Sequence, residues 1–209
     1  DSLDAAALDP DQDQVFFVMQ PEPLGLGHAV LCAVDHALPG PVAVILPDDL
    51  IMGEKGCLSE MLDAYETAAP GHMVATMAVK RDEVHAYGVL VPEGEAEGRL
   101  LPASGMVEKP DPDEAPSLQA VVGRYVLDGS IFDDLRGLPP GRGGEIQLTD
   151  AIAKGAERVG LCGFRFSGTR FDCGSKVGML RATLAYAHLH SEYDAVLQEQ
   201  RPVLALAAE

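Results

Sequence analysis

The chain has 209 residues, of which 47% are hydrophobic and 23% are charged, and its formal net charge is −18. This composition is typical of a globular protein with one sizeable core and excludes disorder throughout. A nucleic-acid partner is disfavoured, because phosphate backbones are bound by basic surfaces. A membrane partner is disfavoured as well, because no apolar run approaches the length of a membrane span, and we expect a soluble protein.

The four cysteines, Cys32, Cys57, Cys162 and Cys173, form no C-x-x-C pair, so a structural zinc site is not predicted. In a chain with a large core, buried free thiols are the expected state, and they suit a reducing cytoplasm. The sequence shows no signal peptide at its start.

Apolar runs and segments of helical spacing alternate through the first part of the chain. Buried strands are predicted at 15–19, 42–46 and 73–79, and helices at 28–38 and 58–69. Stretches rich in proline and glycine separate these segments. Buried strands that alternate with helices predict an α/β fold, with a mostly parallel sheet covered by helices on both faces.

The pattern changes after residue 87, where three β-rich segments lie close together at 88–91, 100–108 and 121–127. Such a stretch is expected to add antiparallel strands to the sheet or to form a lid over its edge. Beyond it, a strand is predicted at 161–166 and helices at 130–135, 144–154 and 174–190. No repeat or linker divides the chain, so we expect a single domain.

The first candidate site is the loop 20–28, whose sequence QPEPLGLGH lies between a predicted strand and a predicted helix. Glycines allow close approach of the backbone to a ligand, and a helix N-terminus favours an anion, so the loop predicts a site for a phosphate-bearing small molecule. A plain βα connection is one alternative. A dinucleotide fingerprint is another, because Gly25 and Gly27 form half of it, although Val30 stands at its third glycine position.

Carboxylates at two further strand ends are candidates for binding a divalent cation. Asp48 and Asp49 follow a predicted buried strand after a single proline, and Asp172 shortly precedes the glycine that opens the last helix. Carboxylate oxygens at such positions suit Mg²⁺, which keeps one or two protein ligands while phosphates supply others. The alternative for each is a helix N-cap or a turn aspartate.

Glu108 and Lys109 end a predicted strand directly before Pro110. A carboxylate can accept two hydrogen bonds from vicinal sugar hydroxyls, and the neighbouring ammonium can contact a phosphate. The alternative is a solvated Glu-Lys pair. The six histidines show no metal-binding spacing, and the sequence supports no Ser/His/Asp or Cys/His arrangement.

Seven short blocks occur in the order in which they occur in one enzyme family. The blocks are QPEPLGLGHA (20–29), LPDDL (46–50), YGV (87–89), MVEKP (106–110), GRYVL (123–127), GEIQLTD (144–150) and DCGSK (172–176). They closely resemble the bacterial UTP–glucose-1-phosphate uridylyltransferases (UDP-glucose pyrophosphorylases) of the sugar nucleotidyltransferase family. The resemblance covers nearly the whole chain from Gln20 to about His190. It implies a Rossmann-like nucleotidyltransferase sheet.

For catalysis, the resemblance implies that Asp48 and Asp172 bind the Mg²⁺ cofactor and that Lys109 lies beside the phosphates. These three residues form the expected catalytic set. A phosphate oxygen of glucose 1-phosphate, already anionic at pH 7, would attack the α-phosphorus of UTP and release pyrophosphate, so no general base is needed. Catalysis of this kind consists mostly of positioning and charge neutralisation.

For substrate binding, the resemblance implies that Gln20 and Gly25 contact the uracil and that Gly88 and Glu108 hold the glucose. Two lysines are expected near the phosphates, and the second of them is the weaker match. The expected substrate-binding set is therefore Gln20, Gly25, Gly88, Glu108, Lys109 and Lys176.

The chain departs from the family at two places. The family's N-terminal glycine-rich loop, which grips the triphosphate, has no counterpart, and the segment 154–159 looks shorter. We therefore expect residues 1–209 to form one nucleotidyltransferase domain without that nucleotide-binding loop. Its C-terminal helical part, 174–209, is a candidate surface for the homodimer or homotetramer that the family forms.

The implied function is Mg²⁺-dependent uridylyl transfer from UTP to α-D-glucose 1-phosphate, which gives UDP-glucose and pyrophosphate in the cytoplasm. Two alternatives stay open: a related sugar-1-phosphate nucleotidyltransferase with another nucleotide or sugar, and a non-catalytic UDP-glucose-binding subunit. A nicotinamide oxidoreductase is a distant third, because Asp48 also stands where a ribose-binding acid would.

Overall fold

The structure, a computed structural model, describes residues 15–68 and 71–199. Its strands are β1 (Val42–Ile45), β2 (Asp49–Met52), β3 (His72–Ala78), β4 (Gly88–Pro92), β5 (Leu100–Glu108), β6 (Gln119–Leu127), β7 (Leu161–Arg165) and β8 (Thr169–Asp172). Its helices are α1 (Leu26–Cys32), α2 (Cys57–Ala68), α3 (Ile131–Leu135), α4 (Leu148–Val159) and α5 (Lys176–Leu189). Among the described residues, no helix has the length and apolar character needed to cross a membrane.

Six strands form a central sheet in the order β1-β6-β3-β7-β5-β4, and β2 pairs with β8 in a separate two-stranded sheet. In the central sheet β3 and β7 are parallel, β6 runs antiparallel to β1 and β3, and β5 runs antiparallel to β4 and β7. The α/β class with added antiparallel strands is confirmed. The sheet was expected to be mostly parallel, but β3 and β7 form the one parallel pair among the described strands, because β6 lies between β1 and β3 and β5 lies between β7 and β4.

Helices cover both faces of the central sheet, as the alternation of elements predicts. Along β3, Val74 packs with α3 and α4 on one face, whereas Met73 and Ala75 pack with α2 on the other, which is the two-residue period of a strand. Met61 of α2 and Ile152 of α4 are fully buried in these two layers. Burial of each such side chain contributes about 1.5–3 kcal/mol.

Residues 15–19 do not form the strand that the apolar run predicts. The segment has no regular secondary structure, and its side chains are exposed, with Phe17 at 96%. A strand needs a neighbour for its backbone N–H and C=O groups, and within the described residues no strand pairs with this segment. An apolar run without a ladder partner stays irregular.

The two-stranded sheet of β2 and β8 is a feature that the sequence did not predict. Each strand has only four residues, too few to show a period. Pairing between distant segments forms this sheet, and Asp49 stands opposite Asp172 in its register. The sheet therefore fixes the relative position of two predicted metal-binding segments.

Apart from two helices, the other predicted elements occur within two residues of their expected bounds. The last residue of the helix predicted at 58–69 lies outside the described residues. The helix expected at 28–38 ends at Cys32 and gives way to a 3-10 turn at Val34–His36. The helix expected at 144–154 begins only at Leu148. Gly143 and Gly144 have φ angles of 75° and 78°, which are incompatible with a right-handed helix.

Candidate functional site

A cavity of about 420 Å³ opens where the ends of several central strands meet the β2–β8 sheet and the start of α4. Five of the predicted site residues line it: Asp48, Gly88, Glu108, Lys109 and Asp172. The sequence predicted these residues at separate places along the chain, and the structure brings them together. The cavity is therefore the candidate functional site.

The other three predicted residues do not line this cavity. Gln20 donates from Nε2 to the carbonyl oxygen of Gly25 at 3.1 Å, and the same nitrogen lies 3.1 Å from Nδ1 of His28, so the loop closes on itself. A β-carbon at Gly25 would lie 2.7 Å from Cβ of Glu145, a residue of the cavity wall. Lys176 is the first residue of α5. The substrate contacts of these three residues stay predictions.

The glycines of the loop pack against protein. Gly27 donates its N–H to the carbonyl oxygen of Ile146 at 2.9 Å, and a β-carbon at Gly27 would lie only 2.6 Å from that oxygen. Gly25 adopts a φ of 96°, a backbone conformation that is strained for any residue with a side chain. These contacts account for both glycines without a dinucleotide, which weakens the fingerprint alternative.

Asp48 and Asp172 face the same small space. The N–H of Cys173 donates to the carbonyl oxygen of Asp48 at 2.7 Å, which ties the end of β8 to the start of β2. A β-carbon built on Gly174 would lie 2.9 Å from Oδ2 of Asp48 and 3.2 Å from Oδ1 of Asp172. The glycine thus leaves open a gap that two carboxylate oxygens border.

The helix-cap alternative for Asp172 is wrong. Ser175 caps α5, because its hydroxyl accepts a hydrogen bond of 3.0 Å from the N–H of Gly178. Two carboxylates beside a glycine-lined gap fit a hard divalent cation, which takes oxygen ligands and leaves positions to phosphate or water. Among the described residues, no group of three or more His, Cys, Asp or Glu side chains is arranged to hold a metal ion.

Arg170 is a cavity residue that the sequence did not indicate. Its Nε donates to Oδ1 of Asp49 at 2.5 Å, and the N–H of Gly123 donates to Oδ2 of the same carboxylate at 2.6 Å. Burial disfavours the charge of Arg170, but the Asp49 carboxylate outweighs that effect, and the pKa of Arg170 is raised. Had β8 been predicted, the two-residue period would have put Arg170 on the same face as Asp172.

Glu108 is held by the start of α4. The hydroxyl of Thr149 donates to Oε2 of Glu108 at 2.7 Å, while Oε1 lies 3.5 Å from Nζ of Lys109. The Glu108 side chain is 13% exposed, so the solvated-pair alternative is wrong for this carboxylate. A β-carbon at Gly88 would lie 3.2 Å from both Oε2 and the Thr149 hydroxyl, so this glycine keeps the space beside the carboxylate open.

Lys109 has an unusual backbone. Its φ of 46° is the only positive value of a non-glycine residue in the described chain. Such a conformation costs about 1–2 kcal/mol for an L-residue and must be held by its surroundings. The N–H of Lys109 donates to the carbonyl oxygen of Tyr87 at 2.9 Å, and Arg142 donates to the carbonyl oxygen of Lys109. These bonds set the direction in which the chain leaves β5.

Negative charge dominates the surroundings of the cavity. Burial raises the pKa of the Asp150 carboxyl, and the charge of Glu108 adds to the effect. Burial also raises the pKa of Tyr125, again with contributions from Glu108 and Asp49. An anionic ligand in this cavity needs compensating cations, which Lys109 supplies only in part.

Comparisons with known proteins bear on this geometry. The family model described as Nucleotidyl transferase matches residues 8–188. The UTP–glucose-1-phosphate uridylyltransferase of Komagataeibacter xylinus is 41% identical over 153 residues, which are 73% of this chain and 53% of that protein. The UTP–glucose-1-phosphate uridylyltransferase YngB of Bacillus subtilis is 39% identical over 173 residues, which are 83% of this chain and 58% of that protein. The chain spans between half and two thirds of the length of these relatives.

Solved structures agree with these relatives. A UDP-glucose pyrophosphorylase complexed with UDP-glucose has a TM-score of 0.77 and 39% identity, over 82% of this chain and 65% of that chain. A UTP-bound UGPase from Acinetobacter baumannii has a TM-score of 0.76 and 40% identity, over 86% of this chain and 62% of that chain. The described architecture is similar to both.

Proposed function

The chain belongs to the nucleotidyl transferase family, and on that premise we propose that it serves Mg²⁺-dependent uridylyl transfer from UTP to α-D-glucose 1-phosphate, which gives UDP-glucose and pyrophosphate. One observation carries the proposal: a single cavity holds the Asp48–Asp172 pair beside Gly88 and Glu108. Relatives named for this reaction are 41% and 39% identical, and similar structures are named as bound to UDP-glucose and UTP.

The glucose would be held at Glu108. Thr149 donates one hydrogen bond to Oε2, and the carboxylate keeps further lone pairs that can accept hydrogen bonds from sugar hydroxyls. Gly88 has no side chain to fill the adjacent space, which gives the ring room to approach the carboxylate. Lys109 follows Glu108 directly, and we assign its ammonium to the phosphate of the bound sugar.

Asp48 and Asp172 would hold the Mg²⁺ ion. When bound, Mg²⁺ offsets the negative charge of the phosphates that meet in the site. Asp48 directly precedes β2 and Asp172 ends β8, so the pairing of these two strands keeps both carboxylates at the gap beside Gly174. The acidic surroundings disfavour two anionic substrates, so we expect these substrates to bind together with the cation.

The chemistry needs no general base. A phosphate oxygen of glucose 1-phosphate, which is anionic at pH 7, forms a bond to the α-phosphorus of UTP. The bond from that phosphorus to the oxygen bridging to the β-phosphate breaks, and its electron pair leaves with pyrophosphate. The contribution of the protein is to align the two phosphates and to neutralise their charge, and we assign those tasks to Lys109 and, through the cation, to Asp48 and Asp172.

The nucleotide base would lie on the side of the loop 20–28. Leu26 and Glu145 line the cavity there, and Gly25 packs on Glu145. We assign the uracil contacts to Gln20 and Gly25 at this edge. Lys176, four residues after Asp172, has a long flexible side chain and is proposed as a phosphate contact that forms when substrate binds.

The proposal includes a homodimer or homotetramer in the cytoplasm. Helix α5 leaves several large apolar side chains exposed, namely Val177, Met179, Leu180, Leu184 and Leu189. A second cavity of about 690 Å³ lies between α5 and the β2–β8 sheet. Both features support the C-terminal helical part, as far as residue 199, as an assembly surface. All four cysteines are free thiols, which suits the proposed location.

The substrate assay that tests the proposal uses UTP and glucose 1-phosphate with Mg²⁺, beside dTTP, CTP and galactose 1-phosphate, and follows pyrophosphate release. We expect the UTP and glucose 1-phosphate pair to react fastest. Faster reaction of another pair would indicate a sister enzyme. Calorimetric binding of UDP-glucose without turnover would indicate a binding subunit, and neither binding nor turnover would overturn the proposal.

A further inference from the structure

Arg170 touches two sides of the cavity. Its Nε donates to Oδ1 of Asp49, and its Nη2 forms an ion pair with the same oxygen. On the other side its Nη1 donates to the hydroxyl of Tyr87 at 3.2 Å, and the guanidinium carbon lies 5.5 Å from the centre of the Tyr87 ring. The Arg170 side chain is only 14% exposed, so these contacts are partly shielded from water.

Each residue that this arginine contacts is adjacent in sequence to a proposed ligand-binding residue. Asp49 follows Asp48, and Tyr87 precedes Gly88. The strand that carries the arginine ends two residues later at Asp172. The same guanidinium therefore stands between the proposed metal pair and the proposed sugar site.

We infer that Arg170 is a positioning residue that couples binding of the divalent cation to binding of the sugar nucleotide; this rests on the proposed function. An arginine suits the task because its planar fork can contact a carboxylate and a phenol at once, whereas lysine offers a single point charge. The Asp49 carboxylate also accepts the N–H of Gly123 at 2.6 Å. Arg170 is therefore not the only group that holds β2 in place.

The coupling is measured on the full chain with two probes. Mn²⁺ replaces Mg²⁺, and its bound fraction is followed by electron paramagnetic resonance. UDP-glucose binding is followed by calorimetry with and without Mn²⁺. Because an acidic protein also binds Mn²⁺ weakly elsewhere, the specific site is defined as the Mn²⁺ binding that Asp48→Asn removes.

We expect Arg170→Lys to weaken specific Mn²⁺ binding and UDP-glucose binding by at least fivefold each, and to reduce the gain in UDP-glucose affinity that Mn²⁺ gives. Tyr87→Phe should weaken UDP-glucose binding and leave the Mn²⁺ affinity unchanged. Asp49→Asn should weaken Mn²⁺ binding and leave the UDP-glucose affinity unchanged. If Arg170 had only a structural role, the variants would lower thermal stability, but Tyr87→Phe and Asp49→Asn would not each affect the binding of a different ligand.

Two further variants control for an unpaired buried charge and for the general loss of an arginine ion pair. Asp49→Asn combined with Arg170→Gln removes both charges, so no buried carboxylate is left unpaired, and the loss of coupling is still expected. Arg99→Gln breaks another arginine ion pair, with Glu60 outside the cavity, and should leave both affinities unchanged. Wild-type affinities and coupling in Arg170→Lys would overturn the inference. A wild-type chain that binds neither probe would overturn the proposed function instead.

Discussion

The hydroxyl of Thr149 donates a hydrogen bond of 2.7 Å to Oε2 of Glu108, although the two residues are 41 positions apart. Thr149 is the second residue of α4, and Glu108 is the last residue of β5. Packing of α4 on β5 therefore sets the direction of the carboxylate. Thr149, a residue outside the proposed ligand set, therefore orients the carboxylate that we assign to the sugar.

Replacement of Thr149 by valine keeps the side-chain shape and removes the donor. A hydrogen bond to a charged group contributes about 1.5–3 kcal/mol, so we expect UDP-glucose binding to weaken by about tenfold in calorimetry. Thr149→Ser should retain most of the affinity. The matched control is Thr183→Val on α5, where the lost hydroxyl bond of 2.9 Å runs to the carbonyl oxygen of Met179. Equal weakening in the control would contradict the role of Thr149.

The sequence predicted the residues of the cavity that stand at strand ends. Asp48, Glu108 and Lys109 could be placed because apolar runs mark where strands stop, and the ends of neighbouring strands meet at a sheet edge. Asp172 was singled out because it shortly precedes the glycine that opens the last predicted helix, and the seven blocks in order added Gly88. These predictions depend on local patterns, which a single sequence carries.

The sequence did not predict features that arise from pairing between distant segments. Arg170 became visible only once β2 and β8 were paired, because four-residue strands carry too weak a pattern to be recognised. The prediction of a strand at 15–19 was wrong for the opposite reason. Its pattern is strong, but strand formation requires a partner that the pattern does not specify.

Loss of either proposed metal ligand should nearly abolish the reaction. We expect Asp48→Asn and Asp172→Asn each to lower the rate of UDP-glucose formation by about a hundredfold or more, which is the order found when a central electrostatic group is lost. Initial rates at saturating substrate and Mg²⁺ measure the effect. Asp63→Asn is the control, because Asp63 pairs with Lys55 on the exposed surface. A near-normal rate in either cavity variant would remove the metal assignment.

The gap at Gly174 offers a test by added volume. A β-carbon there would lie 2.9 Å from Oδ2 of Asp48 and 3.2 Å from Oδ1 of Asp172, so Gly174→Ala should weaken specific Mn²⁺ binding by about tenfold or more while the fold is retained. Gly105→Ala is the matched control, because a β-carbon at Gly105 meets no atom within 4 Å. Unchanged Mn²⁺ binding in Gly174→Ala would show that the ion does not use this gap.

Glu60 of α2 provides a pH-dependent contribution to stability that is separate from the cavity. Arg99 donates to its Oε2 at 2.6 Å, and the N–H of Ser167 donates to the same oxygen at 3.0 Å. The hydrogen bonds from Arg99, and then those from Ser167, outweigh burial and lower the pKa of Glu60 from 4.5 to about 2. A carboxyl whose pKa falls on folding adds stability that is fully present above pH 4.5 and is lost as the pH falls through about 2.

The free energy of unfolding should therefore differ between the wild type and Glu60→Gln by about 1 kcal/mol at pH 7, a modest value because Arg99 is 44% exposed. Urea unfolding followed by circular dichroism measures this difference. It should stay constant down to about pH 5 and shrink as the pH approaches about 2, because the wild-type carboxyl then becomes neutral. Glu66→Gln, on the exposed side of the same helix, should show no such dependence. A difference that grows on acidification would contradict the lowered pKa of Glu60.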